Sequence, residues 1–131
     1  MTKSLTNINV LDFSHALSGP FCSMLLAELG AKIIKIEPPH GDHFRPANGG
    51  ATFAVVNRNK RSLCLDLKQP SASIIMERLI SKCDVILENF TPGTMKRLGY
   101  NYEALKKMKP DIIYASISGF GSTGPYKDLK G

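Results

Sequence analysis

The sequence predicts an α/β fold, specifically a Rossmann-like, doubly wound parallel sheet that is incomplete. Five short apolar runs alternate with amphipathic stretches, and turn-forming glycine and proline residues separate them. Strands that alternate with helices imply a parallel sheet with helices on both faces. The length of 131 residues suits one domain. Because no helix is predicted after the fifth run, we expect the sheet to be unfinished and residues 1–131 to form a partial domain.

The first two elements are predicted to be a strand and a helix. The apolar run over residues 8–13 is typical of a buried strand. Gly19 and Pro20 open the helix, since proline is favoured at its start, and Gly30 follows its end. We expect the buried face of this helix to carry the apolar residues that recur at every fourth position: Phe21, Leu25 and Leu29.

The next part of the chain has a strand on each side of a long segment. Residues 32–37 predict the second strand and residues 62–66 the third. Between them, the proline and glycine residues from Pro38 to about Asn57 predict an irregular segment, and such long loops are often functional. The basic residues that follow this segment are expected to lie in a solvated loop: Arg58, Lys60 and Arg61.

The last part predicts a helix from Pro70, a strand over 84–88, a short helix over 92–99, a helix over 102–108 and a strand over 112–117. Ligands of doubly wound folds bind at the carboxyl ends of the strands. The candidate binding segments are therefore residues 12–19, 37–42, 66–68, 88–93 and 118–124.

Composition and motifs exclude several classes of function. The net charge of +6 suits an anionic partner, but the sequence has no nucleic-acid-binding motif, so we expect no nucleic-acid partner. The three cysteines lack the spacing of a disulfide scaffold or a zinc finger, and we expect no metal. No apolar run approaches about 18 residues and no targeting segment is present, which predicts a cytoplasmic protein with no membrane partner.

Single motifs leave the function open. Residues 119–124 match G-x-G-x-x-G, but no helix is predicted at their end, and no second strand or acidic residue about 20 positions on completes a dinucleotide site. The turn over 89–93 could hold an anion or be an ordinary capped turn. His15 lies at the ligand-binding edge, where it is either a loop residue or a functional one. The carboxylates at the strand ends could be functional, capping or paired: Asp12, Glu37, Asp66 and Glu88.

Four segments taken together are more specific than any single motif. In order they read LDFSHALSGPFCSMLLAELGAKIIKIEPPHGDHFR, VNRNKRSLCLDLKQP, DVILENFTPGTMKRLGY and PDIIYASISGFGSTGPY. This pattern resembles the N-terminal part of the family III CoA-transferases, the family that includes formyl-CoA transferase and the carnitine CoA-transferases. The resemblance covers essentially the whole chain. It implies that residues 1–131 are a partial N-terminal, CoA-binding, Rossmann-like domain, the first part of the family's large domain, with the C-terminal remainder and a second domain absent.

The resemblance also implies a reaction. Family members transfer CoA from an acyl-CoA to a carboxylic acid acceptor through a covalent aspartyl intermediate, and they form interlocked homodimers. The family's catalytic aspartate would lie beyond Gly131, so we expect no catalytic residue in this chain and no activity of the chain alone. The positions that the resemblance assigns to coenzyme A are His15, Ala16, Leu65, Asp66, Leu67, Lys68, Asn89, Phe90, Arg97, Leu98 and Lys130.

Two departures and two alternatives accompany this interpretation. Formyl-CoA transferase has a glutamine where this chain has Leu17 and an arginine where it has Pro38, which argues against formyl or oxalate specificity. The α-methylacyl-CoA racemases share the fold, but Asn89 and the strand over 114–118 favour a transferase. The other alternative is a non-catalytic module that binds CoA.

Overall fold

A computed structural model describes residues 3–127 and residue 129 of the chain. The strands are β1 (Asn9–Asp12), β2 (Lys32–Glu37), β3 (Lys60–Cys64), β4 (Val85–Glu88) and β5 (Ile113–Ser116). The helices are α1 (Ser18–Glu28), α2 (Ala51–Asn57), α3 (Ala72–Ile80), α4 (Thr94–Arg97) and α5 (Tyr102–Met108), and a short 3₁₀ helix spans Ala47–Gly50.

The five strands form one parallel sheet in the order β3-β2-β1-β4-β5. Val10 lies opposite Ile33 of β2 on one side and Val85 of β4 on the other. The chain first builds the sheet outward from β1 to β3 and then returns to add β4 and β5 on the other side of β1. This order is that of a doubly wound fold and confirms the predicted fold class. It places the topological switch point, the usual ligand site, between β1 and β4.

Two apolar clusters lie on the two faces of the sheet. The larger cluster packs α3, α4 and α5 against the sheet, and its buried members include Leu11, Met76, Ile86, Met95 and Leu105. The smaller cluster packs α1 against the other face through Val10, Ala27, Ile33 and Leu87. Residues 10 and 11 point to opposite faces because side chains alternate along a strand.

The predicted buried face of α1 is wrong. Phe21, Leu25 and Leu29 are 46–50% exposed and face away from the sheet. The buried face of α1 consists instead of five residues, all small except the methionine: Gly19, Pro20, Ser23, Met24 and Ala27. Small side chains allow the helix backbone to approach the sheet closely, and Ser23 can bury its hydroxyl because it donates to the carboxylate of Asp12 at 2.5 Å.

The long segment between β2 and β3 is also more ordered than predicted. It contains the 3₁₀ turn and α2, which packs on α1 and buries Val56. A crossover between adjacent parallel strands needs such a helix to return the chain to the starting edge. The third strand begins at Lys60, two residues earlier than expected, and Lys60 is buried rather than solvated.

Within residues 3–127 and residue 129, none of the helices combines the length and the apolar composition needed to cross a membrane.

Candidate functional site

A cavity of about 300 Å³ lies at the carboxyl edge of the sheet, beside the switch point. Its walls come from the ends of three strands and from the turn after β4. The lining residues are 13–15, 35–38, 40–43 and 65–68, together with Phe90 and Leu98.

The first wall of the cavity is the loop that follows β1. The carboxylate of Asp12 is fully buried and accepts hydrogen bonds from the backbone N–H of Ser14 at 2.9 Å and from the Ser14 hydroxyl. Ala16 adopts a positive φ of 62°, a conformation that non-glycine residues rarely adopt. These local constraints turn the chain sharply after β1 and place His15 at the mouth of the cavity.

Asn89 fixes the same loop from the other side of the switch point. Its Oδ1 accepts a hydrogen bond from the backbone N–H of His15 at 2.9 Å, and its Nδ2 donates to the carbonyl of His15 at 2.8 Å. The amide thereby pairs with the backbone of His15 as a neighbouring strand would, and it links the loop after β1 to the turn after β4. The ring of His15 then lies between His43 and Phe90, with ring centroids 5.0 and 5.1 Å away.

The electrostatic surroundings favour a neutral His15. Partial burial lowers the pKa of His15, the nearby His43 lowers it further, and the carboxylate of Asp42 opposes this shift. A neutral imidazole has one donor and one acceptor nitrogen. His15 can therefore both donate and accept a hydrogen bond with a ligand in the cavity at neutral pH.

The second wall is the segment after β2, and Glu37 holds it in place. Arg45 donates to both carboxylate oxygens of Glu37, from Nε at 2.6 Å and from Nη2 at 2.7 Å. The backbone N–H of Asp42 and the hydroxyl of Ser62 also donate to this carboxylate, at 3.0 and 2.6 Å. Burial alone would raise the pKa of Glu37, but these hydrogen bonds, led by those of Arg45, lower it to about 2. We call this arrangement the Glu37–Arg45 clasp.

The third wall is the turn after β3. Asp66 accepts hydrogen bonds from the backbone N–H of Lys68 and from the side chain of Gln69, each at 3.1 Å. The bond from the Lys68 backbone is the main cause of a lowered Asp66 pKa. Asp66 therefore shapes this turn as an ionised carboxylate, and the exposed Lys68 stands at the rim of the cavity.

A second hollow of about 660 Å³ adjoins the first and shares His15 and Phe90 with it. It also contains Ala16 and Asn89.

Beside this hollow, Glu88 is buried and accepts a hydrogen bond from the hydroxyl of Tyr114 at 3.2 Å. Burial and this carboxylate raise the pKa of Tyr114. Three of the four strand-end carboxylates, those of Asp12, Glu37 and Glu88, are thus buried with hydrogen-bonding partners, and Asp66 caps a turn.

Among residues 3–127 and residue 129, no three or more histidine, cysteine, aspartate or glutamate side chains form a group that could hold a metal ion.

Comparison with known proteins identifies the family. Residues 5–131 match the family model described as CoA-transferase family III, which is nearly the whole chain. The chain belongs to CoA-transferase family III. The resemblance noted from the sequence is therefore confirmed.

Several curated members of the family are similar to this chain. The formyl-CoA:oxalate CoA-transferases of Bradyrhizobium diazoefficiens and of Rhodopseudomonas palustris strain BisB18 are 46% and 44% identical to it over 137 aligned residues. Each match covers 99% of this chain and 32% of the relative. The chain thus spans about a third of the length of these relatives.

Solved structures of the family have the same fold. A hypothetical protein from Mycobacterium tuberculosis superposes with a TM-score of 0.93 at 38% identity, over 98% of this chain and 36% of that one. A CAIB/BAIF family protein from Brucella suis gives a TM-score of 0.95 at 35% identity, over 100% of this chain and 37% of that one.

Most of the positions that the resemblance assigned to coenzyme A lie together. The first cavity contains His15, Leu65, Asp66, Leu67, Lys68, Phe90 and Leu98, and the adjoining hollow adds Ala16 and Asn89. Arg97 lines neither space, since its guanidinium turns back to donate to the hydroxyl of Thr94 at 2.7 Å. Lys130 lies outside the described residues.

Sequence reasoning missed other residues of the cavity. His40 and His43 lie in its second wall, so all three histidines of the chain contact the same space. Their position was a usable signal, because His40 lies within the predicted binding segment over residues 37–42 and His43 directly follows that segment. Lys35 also lines the cavity, and here the signal was a lysine placed between the isoleucines of β2.

Proposed function

We propose that this chain forms the coenzyme A-binding part of an enzyme that transfers CoA from an acyl-CoA to a carboxylic acid. The observation that carries the proposal is the cavity at the switch point, where seven of the predicted CoA contacts come together. The family membership and the printed names of the curated relatives favour transfer of CoA over racemisation. The partial domain over residues 1–131 would supply binding and positioning.

The chemistry of the cavity suits one portion of a CoA molecule. Ligand cavities usually measure about 300–1,000 Å³, so a space of about 300 Å³ holds part of the ligand. The adjoining hollow that shares His15 and Phe90 offers room for the next portion. Apolar walls formed by Leu65, Leu67 and Leu98 can pack against the pantetheine arm or the adenine ring, while Lys68 at the rim can pair with a phosphate.

In this proposal the residues of the chain bind and orient the thioester and do not attack it. The nucleophile would be an aspartate outside these 131 residues. Its carboxylate would attack the thioester carbonyl and expel CoA thiolate, which gives a mixed anhydride; the thiolate would then attack the aspartyl carbonyl and release the donor acid, which gives an aspartyl-CoA thioester. The acceptor carboxylate would attack that thioester and expel CoA thiolate, and the thiolate would attack the acceptor's carbonyl to give the new acyl-CoA and restore the aspartate. His15 can donate or accept a hydrogen bond at the mouth of the cavity, and Asn89 holds the backbone of His15 in place. Because Leu17 and Pro38 differ from the formyl-CoA transferase pattern, the proposal does not extend to formyl or oxalyl groups.

Calorimetric titration of the chain with CoA tests the binding proposal. We expect saturable heat, and a rise in melting temperature, because a ligand that binds the folded state stabilises it. Lys68→Gln should weaken binding about threefold to tenfold, since it removes a cation facing a phosphate. Lys107→Gln, an exposed lysine on α5, is the matched control and should leave the affinity unchanged. Absence of both heat and stabilisation for the unchanged chain would refute the proposal.

A second experiment tests the division of labour between this chain and the missing nucleophile. The purified chain is mixed with an acyl-CoA and a labelled carboxylic acid, and label in the CoA thioester is measured. We expect none. Formation of labelled thioester by the chain alone would show that the reaction needs no outside aspartate and would overturn this part of the proposal.

The assembly and the location belong to the same proposal. A longer protein that contains this chain is expected to form an interlocked homodimer in the cytoplasm. Sedimentation of that protein and fractionation of cells that produce it test the two statements, and a monomer or a membrane-bound pool would contradict them.

A further inference from the structure

Lys35 is the most deeply buried cation next to the cavity. Only 2% of its side chain is exposed, although it lies in the middle of β2. Its ammonium group donates a hydrogen bond to the backbone carbonyl of Ser14 at 2.5 Å and lies 3.0 Å from the carboxylate of Asp42. Burying a charge is costly unless it is paired, and an apolar residue would fill the same space without that cost. The position of Lys35 therefore calls for an explanation beyond packing.

The two partners of Lys35 belong to two different walls of the cavity. Ser14 lies in the loop after β1, directly before His15. Asp42 lies in the segment after β2, directly before His43, and its Oδ1 accepts from the backbone N–H of Phe44 at 2.9 Å. One ammonium group thus connects the two loops whose histidine rings lie 5.0 Å apart at the mouth of the cavity.

The other buried lysine has different partners. Lys60 pairs with Asp12 at 3.0 Å and is equally inaccessible, with 2% of its side chain exposed. Its remaining hydrogen bonds run to the carbonyl of Pro20 in α1 and to the side chain of Asn57 in α2. Lys60 therefore connects the two helices on that face of the sheet with β1, and it does not line the cavity.

We propose that Lys35 is a positioning residue that sets the distance between the His15 and His43 walls and thereby the shape of the ligand cavity. This inference rests on the proposed function only where it concerns CoA. Without the bridge, the loop after β1 would still be held by Asn89 and the segment after β2 by the Glu37–Arg45 clasp, but neither of these contacts joins the two walls to each other.

Four variants of the chain test this role. Lys35→Met removes the bridge and leaves Asp42 as an unpaired buried charge. The double variant Lys35→Met/Asp42→Asn removes both charges, so it should recover stability without restoring the bridge. Lys60→Met removes the other buried ion pair, with Asp12; this variant leaves the Lys35 bridge in place although Asp12 also holds Ser14. Lys32→Met alters an exposed lysine of the same strand and is the control.

The first readout is the nuclear Overhauser effect between the ring protons of His15 and His43, which needs no ligand. We expect it to persist in the unchanged chain, in Lys32→Met and in Lys60→Met, and to weaken strongly in both variants that lack Lys35. The second readout is CoA affinity by calorimetry, which should fall about tenfold or more in the same two variants.

The double variant decides between positioning and stability. If it recovers stability while the ring contact stays lost, Lys35 positions the two walls. If the ring contact and the affinity return with stability, Lys35 acts only through stability and the inference is wrong. If Lys60→Met abolishes the ring contact as completely as Lys35→Met does, the contact does not depend on the Lys35 bridge in particular, and the inference is wrong as well. A chain that binds no CoA but shows the expected pattern of ring contacts would refute the proposed function and leave this inference standing.

Discussion

The Glu37–Arg45 clasp offers a stability prediction whose size follows from the structure. The carboxyl group of Glu37 is 3% exposed and has a pKa of about 2, against 4.5 for the free group. A difference of this size corresponds to at most about 3 kcal/mol of stability at neutral pH. Arg45 supplies the largest favourable part, but 45% of its side chain is exposed, so solvent screening reduces its own share to about 1–2 kcal/mol.

The perturbation is Arg45→Met, which keeps an unbranched apolar side chain and removes both charged hydrogen bonds. The measurement is the free energy of unfolding in urea at several pH values. At pH 7 we expect a loss of about 1–2 kcal/mol. Because the folded pKa of Glu37 is depressed, its contribution is present above pH 4.5 and is lost as the pH falls toward 2. The difference between the unchanged chain and the variant should shrink over that range.

The matched control is Arg58→Met. Arg58 also donates from Nε to a glutamate at 2.7 Å, but both it and its partner Glu28 are exposed, with 49% and 39% of their side chains accessible. Such surface pairs contribute about 0–1 kcal/mol. If Arg45→Met costs no more than Arg58→Met, or if its cost is the same at pH 7 and near pH 2, the reasoning about the clasp is wrong.

Three further predictions concern the loop after β1. Gly19→Ala should lower the free energy of unfolding by about 1–3 kcal/mol, because the added Cβ would collide with the side chain of Ser14 and approach Asn89 Cγ to 3.2 Å; equilibrium unfolding in urea measures this. Asn89→Ala should remove the protection of the His15 amide, since that N–H loses its acceptor, and amide hydrogen exchange reports it directly. The imidazole of His15 should titrate with a midpoint below 6.5 in an NMR experiment; because its folded pKa is depressed, its neutral form stabilises the fold fully above pH 6.5 and this contribution is lost as the pH falls through the folded pKa.

Each of these three predictions has a result that would contradict it. A Gly19→Ala variant as stable as the unchanged chain would mean that α1 can move away from Ser14. Unchanged exchange of the His15 amide would mean that another acceptor replaces Asn89. A midpoint at or above 6.5 would mean that the carboxylates near His15 outweigh its burial and its neighbour His43.

The alternation of apolar runs was enough to predict the strands and the class of fold. Runs of apolar residues bounded by turn formers depend on local chain chemistry, and the five strands lie within two residues of their predicted places at each end. The helix over Ala51–Asn57 was missed because glycine and proline residues before it dominate the local pattern. The crossover helix follows from the parallel pairing of β2 with β3, and that pairing cannot be predicted from the local sequence.

The sequence by itself determined which positions meet at the carboxyl edge of the sheet. Every parallel strand ends at the same edge, so the segments after β1, β3 and β4 had to converge, and His15, Leu65 and Phe90 contact one cavity. The family resemblance came from the same ordered segments.

Only the tertiary structure decided which charges are buried and which apolar residues are not. Lys35 and Lys60 read as ordinary basic residues, yet each is buried because a carboxylate outside its own strand neutralises it. Phe21 and Leu25 read as core residues, yet they face outward because α1 presents small side chains to the sheet. Whether a side chain is buried depends on the residues that another part of the chain brings into contact with it. The periodicity of one helix or strand does not predict which residues those are.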